Sequence, residues 1–306
     1  MSRQPEHAGG QTVPLWRAPP DIRSLAAALA QRPQQRDWAV CLPDTALPQW
    51  PLPAAANAGE VRLRQALDEA CRTLQFAGAN LLADILPGRD LWLLPSAAAA
   101  EAGNYFAAID VQDGEPWACR QPENDVKPWL GQPESPFPEH VLVIGAGIAG
   151  AATAYELARR GVKVSVFDAA PAAASAASGN RQGLLYAKIS AHNTAQTELL
   201  LCGYGYSRRL LAQLLPEHDC WGGDGVLHLD YNDAERRRHD ALAAQTQHRH
   251  LYRRVGADEA AAIAGISIGS GALYWPQGVW LNPPALVTAL LAHENITFLP
   301  EYRVQA

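Results

Sequence analysis

His140-Val141-Leu142-Val143-Ile144-Gly145-Ala146-Gly147-Ile148-Ala149-Gly150-Ala151-Ala152-Thr153-Ala154 is the stretch that decides the fold. Its first part is a continuous apolar run, the pattern of a parallel strand buried on both faces. Three glycines follow at G-x-G-x-x-G spacing. Ala151, Ala152, Ala154, Leu157 and Ala158 then continue as a helix, with Arg159 and Arg160 in its last turn and Gly161 to end it. Lys163-Val164-Ser165-Val166-Phe167-Asp168 reads as a second strand. Strand, glycine turn, helix and strand together make a βαβ unit of the dinucleotide-binding type.

Each glycine in this unit has a physical task. Gly145 permits the tight turn, Gly147 lets the backbone approach a pyrophosphate, and Gly150 lets the helix lie close to the strand. The backbone of Ala146, Ile148 and Ala149 completes the loop, and the helix start offers unpaired N–H groups and the positive end of a dipole to phosphates. Asp168 stands about twenty residues beyond the glycines, at the end of the second strand, where a carboxylate can accept hydrogen bonds from ribose hydroxyls. An acid there disfavours NADP, whose 2′-phosphate it would repel. The glycine pattern by itself does not separate NAD from FAD.

Beyond Asp168 the loop Ala176-Ala177-Ser178-Gly179-Asn180-Arg181-Gln182-Gly183 is small, polar and glycine-containing, so it can lie against a cofactor without steric conflict. A further strand is expected at Ile296–Leu299. On the other side, Pro122, Pro128, Pro133, Pro136 and Pro138 make residues 122–138 an extended linker. Residues 1–121 read as a small α/β module. Asp21 caps a helix through Ile22, Leu25 and Leu29. A short strand covers Ala39–Leu42, an amphipathic helix residues 60–76, and strands Asp90–Leu94 and Tyr105–Ile109. This module holds no glycine-rich turn after a strand and no clustered acid, histidine and nucleophile; it reads as a packing or partner-contact module.

The chain has 306 residues, 48% of them hydrophobic, and a formal net charge of −6. No run approaches the roughly 18 apolar residues of a membrane span, and the N-terminus lacks a signal-peptide core, so a soluble cytoplasmic protein without membrane partners is expected. The acidic balance does not advertise a nucleic-acid binder. Cys41, Cys71, Cys119, Cys202 and Cys220 are scattered, as buried thiols are, and no metal site is expected. Arg236, Arg237, Arg238, Arg249, Arg253 and Arg254, with His239, His248 and His250, form the densest basic region: a solvated helical face, or a phosphate contact. Tyr274, Trp275 and Trp280 pack in a sheet or stack on a base.

The fingerprint together with Ser178–Gly183 resembles the D-amino-acid-oxidase-like FAD superfamily. More closely, it is similar to the FAD-dependent oxidase half of the bifunctional tRNA 5-methylaminomethyl-2-thiouridine biosynthesis family. Further carriers of this resemblance are Lys188–His192, Tyr206–Arg209, Gly225–Leu229 and Tyr274–Pro283, the last with Val279 and Asn282 as departures. The resemblance covers about residues 140–304. It implies a Rossmann-like FAD-binding domain of the D-amino-acid-oxidase type over residues 139–306, preceded by the small α/β module. FAD is then the cofactor, held by Gly145, Ala146, Gly147, Ile148, Ala149, Gly150, Asp168, Ser178, Asn180, Gln182 and Gly183. Ser178, Asn180 and Gln182 would stand near the flavin, and Lys188 and His192 would face the substrate carboxylate or the flavin ring, or serve as surface or capping residues.

The resemblance further implies a tRNA substrate carrying 5-carboxymethylaminomethyl-2-thiouridine at the wobble position, from which the carboxymethyl group is removed. No residue is assigned as catalytic, because an amine bound in its deprotonated form makes a general base less essential. Two alternatives stand: a small-amine or D-amino-acid oxidase, and a non-catalytic dinucleotide-binding remnant. The family's preceding methyltransferase has no counterpart in residues 1–130, so that activity is absent or supplied by a separate methyltransferase. The stop at Ala306 leads us to expect only the first half of an oxidase domain, a fragment.

Overall fold

The computed structural model describes residues 12–42, 47–100, 102, 106, 108–113 and 137–305, except 193, 218 and 246. The first elements are β1 (Val13–Trp16), α1 (Ile22–Gln31), β2 (Asp37–Leu42), α2 (Ala58–Cys71), β3 (Asn80–Leu86), β4 (Arg89–Pro95), α3 (Ser96–Ala100) and β5 (Ile109–Val111). They form one sheet in the order β3-β4-β2-β1-β5, with only β3 antiparallel to its neighbour. Alternating residues go to opposite faces. Trp38, Val40, Leu91 and Leu93 meet Ile22, Leu25, Leu29, Leu63 and Leu67 from α1 and α2. Ala39, Cys41 and Leu94 meet Ala98, Ala99 and Phe106 on the other side. Both faces of this largely parallel sheet are therefore covered, as such sheets require.

Local signals placed most of these elements. The Asp21 carboxylate accepts the Ser24 N–H at 3.0 Å and caps α1. Asn57 and Glu60 close a reciprocal capping box on α2. The helix expected over 60–76 ends at Cys71, because Gln75 turns its side-chain carbonyl onto the N–H groups of Ala77 and Gly78, 2.7 Å each. Of the strand expected at Tyr105–Ile109, Tyr105 and Ala107 lie outside the described residues; the described strand is Ile109–Val111, in register with Val13–Leu15, and Phe106 is a core residue edge-on to Trp92. Strands β1 and β3 and helix α3 were not anticipated. Residues 122–136 of the linker and Cys119 lie outside the described residues; Cys41 and Cys71 are buried thiols, while Cys202 and Cys220 are half-buried.

The chain continues through β6 (His140–Ile144), α4 (Ile148–Ala158), β7 (Lys163–Phe167), β8 (Gly183–Leu185), α5 (Ala195–Leu214), β9 (Trp221–Gly222), β10 (Val226–Leu229), α6 (Asp233–Ala243), β11 (Arg253–Val255), α7 (Ala257–Ala264), β12 (Ala272–Trp275), β13 (Val279–Leu281), α8 (Pro283–Leu291) and β14 (Ile296–Leu299). The strands β14, β7 and β6 form a parallel sheet, as the βαβ reading requires. Two three-stranded sheets, β8-β13-β9 and β10-β12-β11, complete the fold. By contacts the chain divides into two compact units: residues up to 135 with 186–209 and 227–277, and residues 136–185 with 210–226 and 278–306.

One expectation about β6 is corrected. Only the Val141 and Val143 side packs, against the cluster that includes Ala154, Ala158 and Val164. Leu142 and Ile144 are 63% and 69% exposed. The strand ends the sheet, and among the described residues no helix covers its second face. The last turn of α4 also differs, since the helix ends at Ala158 and Arg159 is its cap, folded back onto Glu156.

Within the first unit, four hydrogen bonds join the N-terminal elements to later segments. Arg209, half-buried, donates to Thr73 Oγ1 (3.0 Å) and to the Leu81 carbonyl (2.9 Å). His248 Nε2 accepts the Phe76 N–H at 3.0 Å. His250 Nε2 meets the Leu74 carbonyl at 2.6 Å. An accepting His248 must be neutral, and burial, with His250 beside it, pushes its pKa down to about 4. The unfolded chain therefore binds the proton first, and stability falls as pH drops from about 6.5 towards 4. Urea denaturation across that range should show the decline, and His248→Gln, which keeps an acceptor but cannot titrate there, should reduce its slope.

Candidate dinucleotide site

The second unit builds the site from the end of β6, the start of α4 and the end of β7. Gly145 has a φ of +100°, a conformation that L side chains rarely adopt, and its N–H donates to the Phe167 carbonyl at 2.7 Å. A Cβ on Gly150 would stand 1.9 Å from the Gly145 carbonyl oxygen, so only glycine allows this approach of helix to turn. On Gly147 a Cβ would meet Ser178 Oγ at 3.2 Å, filling the space over the helix start. The first helical bond is made by Ala151 to the Gly147 carbonyl, 2.9 Å. The N–H groups of Ala149 and Gly150 precede it and have no intrahelical acceptor, which is the donor set an anion meets at a helix N-terminus.

Asp168 sits directly after β7 with both oxygens engaged. Oδ2 accepts the Ala146 N–H at 2.7 Å and Oδ1 the Ala170 N–H at 2.9 Å. These two donors hold its carboxyl below the usual carboxylate range. Each oxygen keeps a further lone pair, so the carboxylate can pin the loop and still accept a ribose hydroxyl. Ser178, in the short 3-10 turn Ala177–Gly179, reaches back so that its Oγ accepts the Ile148 N–H at 2.9 Å. Ser178, expected near a flavin, is thereby brought to the first turn of α4.

Two features of this corner had no sequence signal. Ala174 adopts a φ of +57°. In that conformation its N–H bonds the Ala146 carbonyl at 2.9 Å, and its own carbonyl lies 2.6 Å from where a Cβ of Gly179 would be. A left-handed alanine costs on the order of 1 kcal/mol, which the packed corner offsets. Asn180 and Gln182 are exposed on the way to β8, and Gly183 pairs with Leu281, its nearest neighbour being Pro283. Gly145, Ala146, Gly147, Ile148, Ala149, Gly150, Asp168 and Ser178 thus converge. The segment Asn180–Gly183 leads away into a sheet.

The first unit carries a separate polar cluster. Arg238 Nη2 donates to Glu235 Oε2 and stands 3.1 Å from His228 Nδ1 and 3.3 Å from His239 Nε2. His239, fully buried, meets Asp230 Oδ1 through Nδ1 at 2.6 Å, and Asp230 pairs with Arg254. Burial and then the Arg238 cation push His228 down to about 4. Burial works to raise Glu235, but hydrogen bonds from Arg238 and Tyr231 and the nearby cations outweigh it and hold the carboxyl at about 2. Beside the cluster, Lys188, Ser190, Gln196, Thr197, Glu235 and Arg238 line a cavity of about 300 Å³. Lys188 lies 3.7 Å from Glu235, and His192 is exposed. Of the basic region, Arg236, Arg237, Arg249 and Arg253 face solvent, whereas Arg238 and Arg254 are spent inside and His239 and His248 are buried. Trp275 is fully buried against Tyr204 and Tyr252 and so cannot stack on a base.

Comparison with known proteins bears on this arrangement. Residues 140–295 match the family model described as FAD dependent oxidoreductase. The tRNA 5-methylaminomethyl-2-thiouridine biosynthesis bifunctional protein of Pseudomonas entomophila is 46% identical over 178 residues, 58% of this chain and 27% of the relative. That of Chromobacterium violaceum is 39% identical over 222 residues, 69% of this chain and 34% of the relative. The chain therefore spans between about a quarter and a third of these curated relatives. A glycine oxidase from Bacillus cereus has a similar structure over 54% of this chain and 47% of its own, at 23% identity and a TM-score of 0.42, too distant to argue from. Among the described residues no helix is long and apolar enough to cross a membrane.

The Asp168 geometry has a consequence in acid. Its folded carboxyl titrates below the unfolded one, so its contribution is complete above the ordinary value of 3.8 and is lost as pH falls through the lowered one. In Asp168→Asn the glycine loop loses a charged acceptor at all pH values. Thermal unfolding should show a lower midpoint at neutral pH and a gap to the parent chain that narrows below about pH 4.

Proposed function

This chain belongs to the FAD-dependent oxidoreductase family, and on that premise we propose that it binds FAD and takes part in oxidative removal of the carboxymethyl group from 5-carboxymethylaminomethyl-(2-thio)uridine at the tRNA wobble position, giving the 5-aminomethyl nucleoside. The observation that carries the cofactor half is the seat at α4: a turn only glycine can make, two backbone donors without an intrahelical acceptor, and a carboxylate at the end of the next strand. The names borne by the relatives support the substrate half.

In this reading residues 139–306 are the oxidoreductase domain, 122–138 the linker and 1–121 a separate module. Gly147, Ala149 and Gly150 present their backbone to the diphosphate with no side chain in the way. Asp168 accepts from the ribose while its bonds to Ala146 and Ala170 keep loop and strand in register. Ser178 releases or shares the Ile148 N–H as the diphosphate arrives. Asn180 and Gln182 are exposed and ready to meet the ring system. When bound, FAD supplies a two-electron hydride acceptor, so that the CH₂–NH of the substituent becomes an imine that water splits into the primary amine and glyoxylate. The exposed Arg236, Arg237, Arg249 and Arg253 give the first unit a basic surface for tRNA phosphates.

Two measurements check this reading. Purified protein should carry flavin absorbance, and Gly150→Ala should lose it while keeping its far-ultraviolet circular dichroism; equal flavin content in the two would remove the seat from the argument. Nucleoside mass spectrometry of tRNA from a deletion strain should show the carboxymethylated nucleoside accumulating and the 5-aminomethyl form falling. Unchanged nucleosides, with oxidation of small glycine-like amines by the purified protein, would replace the tRNA assignment with that of an amine oxidase.

A further inference from the structure

The cluster in the first unit has a geometry that its present occupant does not exhaust. Glu235 and His239 lie four residues apart on one face of α6, and His228 reaches across from β10. Glu235 Oε2 is 3.6 Å from His239 Nε2 and 3.7 Å from His228 Nε2, and ligating atoms of all three lie within 4.8 Å of one another. Tetrahedral zinc, with bonds near 2.1 Å, holds its donors roughly 3.4 Å apart. The chemistry also matches: two imidazoles and one carboxylate are a common zinc set, with a position left for water. Asp230 supplies a partner of the kind that fixes metal-binding histidines. It accepts from His239 Nδ1 at 2.6 Å, which leaves the Nε2 lone pair facing Glu235.

One cationic nitrogen, Arg238 Nη2, now stands against all three side chains, bonded to Glu235 Oε2, 3.3 Å from His239 Nε2 and 3.1 Å from the other ring nitrogen of His228, Nδ1. The site is thus already built for positive charge. Arg238 is the most exposed route in, because the cavity of about 300 Å³ has Arg238 and Glu235 in its wall, and a guanidinium that turned into it would leave the three donors facing an empty position. Lys188 and Arg254 remain nearby and oppose added positive charge, so occupancy is set by competition with Arg238.

We propose that His228, Glu235 and His239 form a divalent transition-metal site of the zinc type, closed in the metal-free protein by the Arg238 side chain. The same movement breaks the bond of 2.7 Å from Arg238 Nη1 to the Ile189 carbonyl, so metal binding also frees the segment Lys188–His192 that lines the cavity.

The test is equilibrium dialysis of the tag-free full chain against Zn²⁺, with Arg238→Met and the double variant Arg238→Met/His228→Ala alongside. Removing the competing cation should tighten the binding of one zinc equivalent at least about tenfold, and removing one ligand should undo that gain, a loss of the size that disturbing a metal site brings. Equal affinity in the parent chain and Arg238→Met overturns the proposal. So does tight binding that survives His228→Ala, which would mark an adventitious ion only. Should Arg238→Met fail to fold, Co²⁺ titration of the parent chain decides. A visible band of tetrahedral cobalt that is absent from His228→Ala supports the site, and no band at saturating cobalt overturns it.

Discussion

The approach of α4 to the end of β6 is the contact on which the second unit depends. The Gly145 carbonyl occupies the space that any Cβ at position 150 would need. That single exclusion lets the helix start directly over the strand end, and it aims the free N–H groups of the first turn outward from the sheet. Everything else at the corner serves to keep this geometry: the Asp168 carboxylate bonded to Ala146, the Ser178 hydroxyl on the Ile148 N–H, and the left-handed Ala174 tied to the Ala146 carbonyl. These are short-range interactions with strong directional demands. Together they preorganise a loop whose own residues have little side chain with which to hold it.

The first unit is organised by a different constraint, the burial of polar groups that must find partners. The half-buried Arg209 is met by a hydroxyl and a carbonyl rather than by a carboxylate. His248 and His250 satisfy the turn that comes after α2, so the N-terminal sheet is joined to residues far along the chain by hydrogen bonds as well as by apolar packing. A buried acceptor such as His248 tolerates no proton, which makes this junction sensitive to acid.

The same economy explains why the basic region divides. Arg238 and Arg254 are used to neutralise Glu235, Asp230 and Asp240, and they leave the surface. Of those that remain outside, Arg236 and Arg253 pair with Asp233 and Glu259 only at the rim, where solvent weakens such pairs. A charge count over the segment would have assigned all six arginines to one role; the fold gives them two.

The residues from His140 to Asp168 determined their own structure, because each step in them is local: an apolar run for the first strand, glycines where the turn needs a positive φ or a close approach, periodicity for the helix and alternation for the second strand. The cap at Asp21 was legible for the same reason. Three things could be decided only by the chain coming together. Leu142 and Ile144 read as core but face outward, since burial of a strand's second face depends on what packs there and not on the strand. Trp275 read either as sheet packing or as a stacking surface, and Tyr204 and Tyr252 from distant segments decide for packing by sealing it. His228, Glu235 and His239 lie within one short stretch of sequence, but only Glu235 and His239 share a helix face; the His228 ring joins them when the chain folds back onto α6, and Asp230 turns the His239 ring. Local geometry is written in adjacent residues, whereas convergence of side chains from different elements is a property of packing.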